Sequence, residues 1–77
     1  ITTLSYKLAE DTFVNITIYD MMGRFINNLV SSKQSSGFKS IQWNGTDNFG
    51  QPVSSGVYLY QIEAGNFSQT KKMLLLK

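Results

Sequence analysis

The sequence predicts an all-β fold, a two-layer sandwich of about seven short antiparallel strands. Three observations carry this. Apolar residues recur at every second position over most of the 77-residue chain. Turn signals rich in Gly, Asn and Asp interrupt the pattern about every eight to twelve residues. No stretch keeps the i, i+3, i+4 spacing of an amphipathic helix.

The elements follow in order. Leu4, Tyr6 and Leu8 alternate with Thr3, Ser5 and Lys7, as in a strand with one buried face. Glu10-Asp11-Thr12 makes a polar turn. Val14, Ile16 and Ile18 alternate with Asn15, Thr17 and Tyr19, a second strand rich in β-branched side chains. Asp20-Met21-Met22-Gly23 is a tight turn, with Gly23 where positive φ is needed. A third strand covers residues 25–30. Ile26, Leu29 and Val30 break strict alternation there, which a β-bulge explains. Residues 31–37 read as a polar loop. Lys39, Ile41 and Trp43 share one face of a fourth strand, with Ile41 and Trp43 directed into the core. Residues 44–50 form a turn-rich loop, and Pro52 marks a strand edge or start. Residues 57–64 are a strand with Tyr58, Tyr60 and Ile62 on one face. Gly65-Asn66 closes a tight hairpin onto a last strand over residues 67–76. This pattern is immunoglobulin-like, without the Cys-Trp-Cys spacing of true immunoglobulins.

Composition narrows function. With no His and no Cys, the common catalytic triads, thiol nucleophiles, disulfides and zinc sites are excluded. Five acids leave little for carboxylate chemistry, and Glu10 with Asp11 are solvated turn residues. The chain is therefore expected to be non-catalytic, with no cofactor. The net charge of +2 comes from scattered basic residues without a dense stripe, so nucleic acid is not an expected partner. No apolar run approaches the roughly 20 residues of a membrane helix, so the chain is not expected to span a membrane. Asn44, Asp47 and Asn48 offer oxygen atoms to an ion, but one carboxylate is few for calcium, and an Asx/Gly turn accounts for them. The chain opens on Ile1 without a signal peptide, as expected of a fragment of a larger protein.

The end segment, Lys71-Lys72-Met73-Leu74-Leu75-Leu76-Lys77, is apolar on both faces of its strand. One face of a sandwich strand meets the core. Either Met73 and Leu75 or Leu74 and Leu76 therefore point outward, toward a parent domain, a partner or a membrane surface, unless a loop or a neighbouring strand covers them.

Thr2-Thr3-Leu4-Ser5-Tyr6-Lys7-Leu8, Val14-Asn15-Ile16-Thr17-Ile18-Tyr19-Asp20 and Gly23-Arg24 together resemble the opening of the type IX secretion C-terminal sorting domains. Gly37, Trp43-Asn44-Gly45-Thr46-Asp47, Gly50 and Pro52-Val53 resemble the middle of that family. Ser55-Gly56-Val57-Tyr58, Lys71-Lys72-Met73 and Lys77 resemble its end. The resemblance implies an immunoglobulin-like domain, here residues 1–77, at the C-terminus of an exported protein of a Gram-negative bacterium. It would direct its parent through the periplasm and across the outer membrane to the cell surface or extracellular space. The implied partners are the outer-membrane secretion machinery, a cell-surface sortase and a catalytic or adhesive domain N-terminal to it. By position, Gly56, Tyr58, Lys71, Lys72, Met73, Leu74, Leu75, Leu76 and Lys77 become recognition residues, and Gly23, Gly45 and Gly50 turn residues. The immunoglobulin-like domain of the flagellar hook-assembly scaffold shares much of this pattern and implies instead a passive spacer or assembly module. A carbohydrate-binding accessory module of a secreted hydrolase is the other alternative. It requires a row of exposed aromatics, for which Tyr19, Phe38 and Phe49 are the candidates.

Overall fold

The computed structural model describes residues 2–76. They form an immunoglobulin-like sandwich of antiparallel strands with no helix. The strands are β1 (Thr2–Leu8), β2 (Thr12–Tyr19), β3 (Phe25–Gln34), β4 (Gly37–Trp43), β5 (Gly56–Ala64) and β6 (Phe67–Leu75). One layer is the pair β1-β4, and the other is the sheet β3-β2-β5-β6.

There are six strands among the described residues, where about seven were expected. The missing one is the segment at Pro52. It contributes a lone bridge to Thr46, since proline has no N–H to give a ladder. The predicted loop over residues 31–37 is also corrected. β3 runs on to Gln34, with Ser31, Ser32, Lys33 and Gln34 paired to Asn15, Val14, Phe13 and Thr12. This half of β3 lies at a sheet edge with no apolar face to cover, so it carries none of the alternation that marks a half-buried strand.

The irregularity within β3 is a pair of bulges. The register slips between Ile16 and Thr17 and again between Ile18 and Tyr19, leaving Leu29 and Ile26 without partners across the ladder. Both then turn inward against the core. The amide of Asn28 ties this stretch together, donating to Asn15 Oδ1 at 2.6 Å and Thr17 Oγ1 at 3.2 Å.

The core is the one read from the alternation. Leu4 and Leu8 of β1, Val14, Ile16 and Ile18 of β2, and Tyr58, Tyr60 and Ile62 of β5 meet Trp43 between the layers. Trp43 is 1% exposed and meets the Tyr58 ring edge-on at 5.1 Å, a favourable quadrupole arrangement. Its Nε1–H donates to the Thr46 carbonyl at 2.8 Å, so burial leaves no polar atom unpaired. At the β5–β6 hairpin Gly65 has φ of 60°, the positive value a type II′ turn asks of its first central residue.

The ladders also place the connections. Thr2 pairs with Trp43, Gly56 with Leu75 and Tyr19 with Leu59. The start of β1, the end of β6, the turn at residues 20–24 and the long connection from β4 to β5 therefore share one pole. The opposite pole carries the other turns, where the Ser36 N–H donates to Asp11 Oδ1 at 2.8 Å.

Candidate functional site

The residues singled out in the sequence do not form one surface. Tyr58 is a core side chain, and its hydroxyl donates to the Ser54 carbonyl at 2.6 Å. Leu75 is 1% exposed and packs between the layers, with Met73 partly buried beside it. Gly56 opens β5 opposite Leu75, with φ of 153°. Leu74 and Leu76 are the pair that point outward, at 56% and 71% exposure, and Lys72 is exposed on β6 beside them. Lys71 is opposite Tyr60, so it lies on the inward side of β6, at the rim where the two-stranded layer stops covering the larger sheet. Lys77 lies outside the described residues.

Two of the oxygen atoms that the 44–50 loop offers, one from Asp47 and one from Asn44, are already engaged. Asp47 Oδ1 accepts from the N–H groups of Phe49 at 2.9 Å and Gln51 at 3.0 Å, and Asn44 Oδ1 accepts from the Thr46 hydroxyl at 2.6 Å. This is an Asx turn, closed by Gly50 N–H donating to the Asp47 carbonyl at 3.0 Å. The candidate sugar platform is dispersed. Tyr19 lies on the outer face of the four-stranded sheet, Phe38 on the outer face of β4 and Phe49 at the tip of the loop.

Two surfaces are built by the fold. On the outer face of the four-stranded sheet, the rows Ser31–Asn15–Glu63–Ser68 and Asn28–Thr17–Gln61–Thr70 are polar. Toward the pole of residues 20–24 the rows become Phe25–Tyr19–Leu59–Lys72 and Val57–Leu74. Phe25, Val57 and Leu74 are all exposed there, so this end of the sheet is an apolar face rimmed by polar rows.

The second surface surrounds the outer edge of β1, which pairs with β4 on its other side only. A depression of about 570 Å³ lies over Ser5 and Ser40, bordered by Lys7, Lys39 and Lys71. A narrower gap of about 230 Å³ separates β1 from β6, floored by Leu8, Ile62 and Phe67 with Lys7 and Lys71 at its lip. Lys7 Nζ sits 5.2 Å from the centre of the Phe38 ring, and Lys39 Nζ donates to Ser35 Oγ at 3.0 Å. Sequence reading missed this cluster. Its trace is Lys39 on the same face as Ile41 and Trp43, because a lysine on an inward face marks a rim.

Residues 2–68 match the family described as FlgD Ig-like domain, and the chain belongs to that family. Among solved structures it is similar to the crystal structure of FlgD from P. aeruginosa, with a TM-score of 0.75 and 23% identity. That match covers 94% of this chain and 57% of the FlgD chain, and it speaks to the fold. No curated protein sequence matches.

Family membership overturns the expected type IX sorting signal. With it go the expected delivery to the cell surface and the outer-membrane secretion machinery and sortase as partners. The structure supplies the reason. The motifs that suggested sorting are residues the fold itself needs: Gly23 and Gly50 at positive φ, Trp43 and Tyr58 in the core, and Asp20 and Asp47 closing turns. Residues that a sandwich needs for its turns and core say what the fold is and leave the function open.

Proposed function

We propose that this domain is a non-catalytic structural module of a FlgD-type flagellar hook-assembly scaffold. The observation that carries the reading is the family match over residues 2–68. A sequence without His or Cys favours a structural role over a catalytic one. In this reading the sandwich acts as a spacer of fixed shape, with Cα extents of 35 × 21 × 21 Å. The apolar end of its outer face, at Leu59, Val57 and Leu74, rests against a neighbouring part of the scaffold. An exposed apolar patch bordered by polar rows is the kind of surface that a protein–protein contact covers.

The test is an in-frame deletion of residues 2–76 from the parent gene in its own host. Hooks are then counted by electron microscopy, with the truncated protein's abundance checked by immunoblot. Loss of hooks at normal abundance supports the module's role in assembly. Hooks of normal number and length would overturn it.

A further inference from the structure

We propose that the edge of β1 is a docking site for an extended peptide whose residues alternate acidic and apolar, added as a strand beside Thr2–Leu8. The inference does not depend on the scaffold reading. β1 is an edge strand of seven residues with β4 on one side only, so its other row of N–H and C=O groups lacks a strand partner among the described residues. β6 is an edge too, and it runs along the far side of the gap that β1 borders.

A strand laid beside β1 sends alternate side chains to opposite faces. The depression opens over Ser5 and Ser40 on the outer face of the β1-β4 pair, where Lys39 and Lys71 reach its border from the inward side, and the gap floored by Leu8, Ile62 and Phe67 lies on the inner side. One set of ligand side chains therefore meets hydroxyls and lysines. The other set meets apolar surface that is partly bare, with Phe67 56% exposed. The charges fix the sign. Lys7, Lys39 and Lys71 border the depression, and no aspartate or glutamate lines it or the gap. Lys7 and Lys39 are held in place by the Phe38 ring and the Ser35 hydroxyl, so less side-chain freedom is lost on binding. Backbone pairing supplies affinity in such a mode, and the alternating side chains supply selection.

The probe is the capped decapeptide of five Glu-Val repeats, titrated into the isotope-labelled 77-residue chain and followed by amide NMR. Shifts concentrated in Thr2–Leu8, with slowed exchange of β1 amides, are expected, weakening as salt rises. The five-repeat Lys-Val peptide should leave the spectrum unchanged. The K7E/K71E variant should bind the acidic probe about tenfold more weakly, from two exposed charges reversed. The K7Q/K71Q variant, which adds no new charge, should lose a smaller factor while keeping the dispersed spectrum of the folded chain. Equal binding of the Lys-Val peptide would overturn the proposal, as would shifts centred on the outer face at Leu59 and Leu74. Binding of short polyglutamate with the same affinity and no slowing of β1 amides would show a polyanion site, and strand addition would be rejected.

Discussion

Residues 20–24 and residues 47–51 follow one plan, Asp-x-x-Gly and then a long polar residue. In each the aspartate N–H donates to the carbonyl of the fifth residue, Arg24 at 3.0 Å and Gln51 at 2.8 Å. In each the glycine N–H returns to the aspartate carbonyl at 3.0 Å, and aspartate Oδ1 accepts two further N–H groups. Gly23 and Gly50 have φ of 83° and 80°, the left-handed residue that ends this kind of three-residue hairpin loop. What differs is the anchoring. The turn at Asp20 adds one exposed ion pair, Arg24 Nε to Asp20 Oδ2 at 2.8 Å, and otherwise projects Met21 and Met22 into solvent. The turn at Asp47 is bound to the body of the domain. Asn48 N–H donates to the Ile26 carbonyl at 2.9 Å, and Asn27 Nδ2 and Trp43 Nε1 converge on the Thr46 carbonyl. Local chemistry thus sets the shape of both turns, while contacts distant in sequence decide which turn belongs to the core.

The sharpest way to break that contrast is at Trp43. Replacing it with Ala is expected to cost about 3–5 kcal/mol of stability, measured by urea unfolding, from the loss of a buried aromatic. It should also speed amide exchange at Asn48 and Phe49 while leaving Met22 and Arg24 unchanged. Equal acceleration at both turns would mean that the Trp43 anchor does not distinguish them. Asn27→Ala comes next, at about 1–2 kcal/mol, because it strips a part-buried donor from two carbonyls. Here too only the 47–51 turn should loosen.

Gly23→Ala and Gly50→Ala are expected to cost about 1 kcal/mol each, and equally. An added Cβ meets nothing within 4 Å at either position, so the cost is backbone conformation alone. Unequal costs in paired unfolding curves would show that the two turns differ locally after all. The smallest effect belongs to Asp20, whose carboxyl is held below the ordinary aspartate value of 3.8, chiefly by the Arg24 N–H. A group with a depressed folded value stabilises the fold above its unfolded value, and the gain is lost as pH falls through the lower folded one. The contribution should therefore be constant at neutral pH and fade below pH 3.8. Asp20→Asn should flatten that acid limb. Arg24→Gln should leave most of it, because the backbone donor remains.

Much of the fold was written locally. The alternation at Leu4, Tyr6 and Leu8 and at Val14, Ile16 and Ile18 identified buried faces, because burial is what a period of two reports. Gly65-Asn66 identified a hairpin through backbone chemistry. Polar strand residues gave no such signal, so Ser31, Ser32, Lys33 and Gln34 read as loop although each is paired. The β1 edge cluster was invisible for another reason. Lys7, Lys39 and Lys71 are far apart in sequence, and only the register of three strands brings them together. Function was misread because a motif set made of turn glycines and core aromatics identifies a sandwich, not the purpose to which it is put.

Thr2 and Leu75 lie at the same pole, each at the end of a ladder that runs away from it, Thr2 against Trp43 and Leu75 against Gly56. A load drawing these two residues apart meets each ladder one rung at a time, since its hydrogen bonds lie across the strands. The domain is then unzipped like a seam, whereas a pull between Thr2 and Gly65, at opposite poles, loads many rungs together. In an optical trap the first geometry should yield at clearly lower force than the second. Such a module resists a pull along its strands far better than it resists being peeled open from one pole.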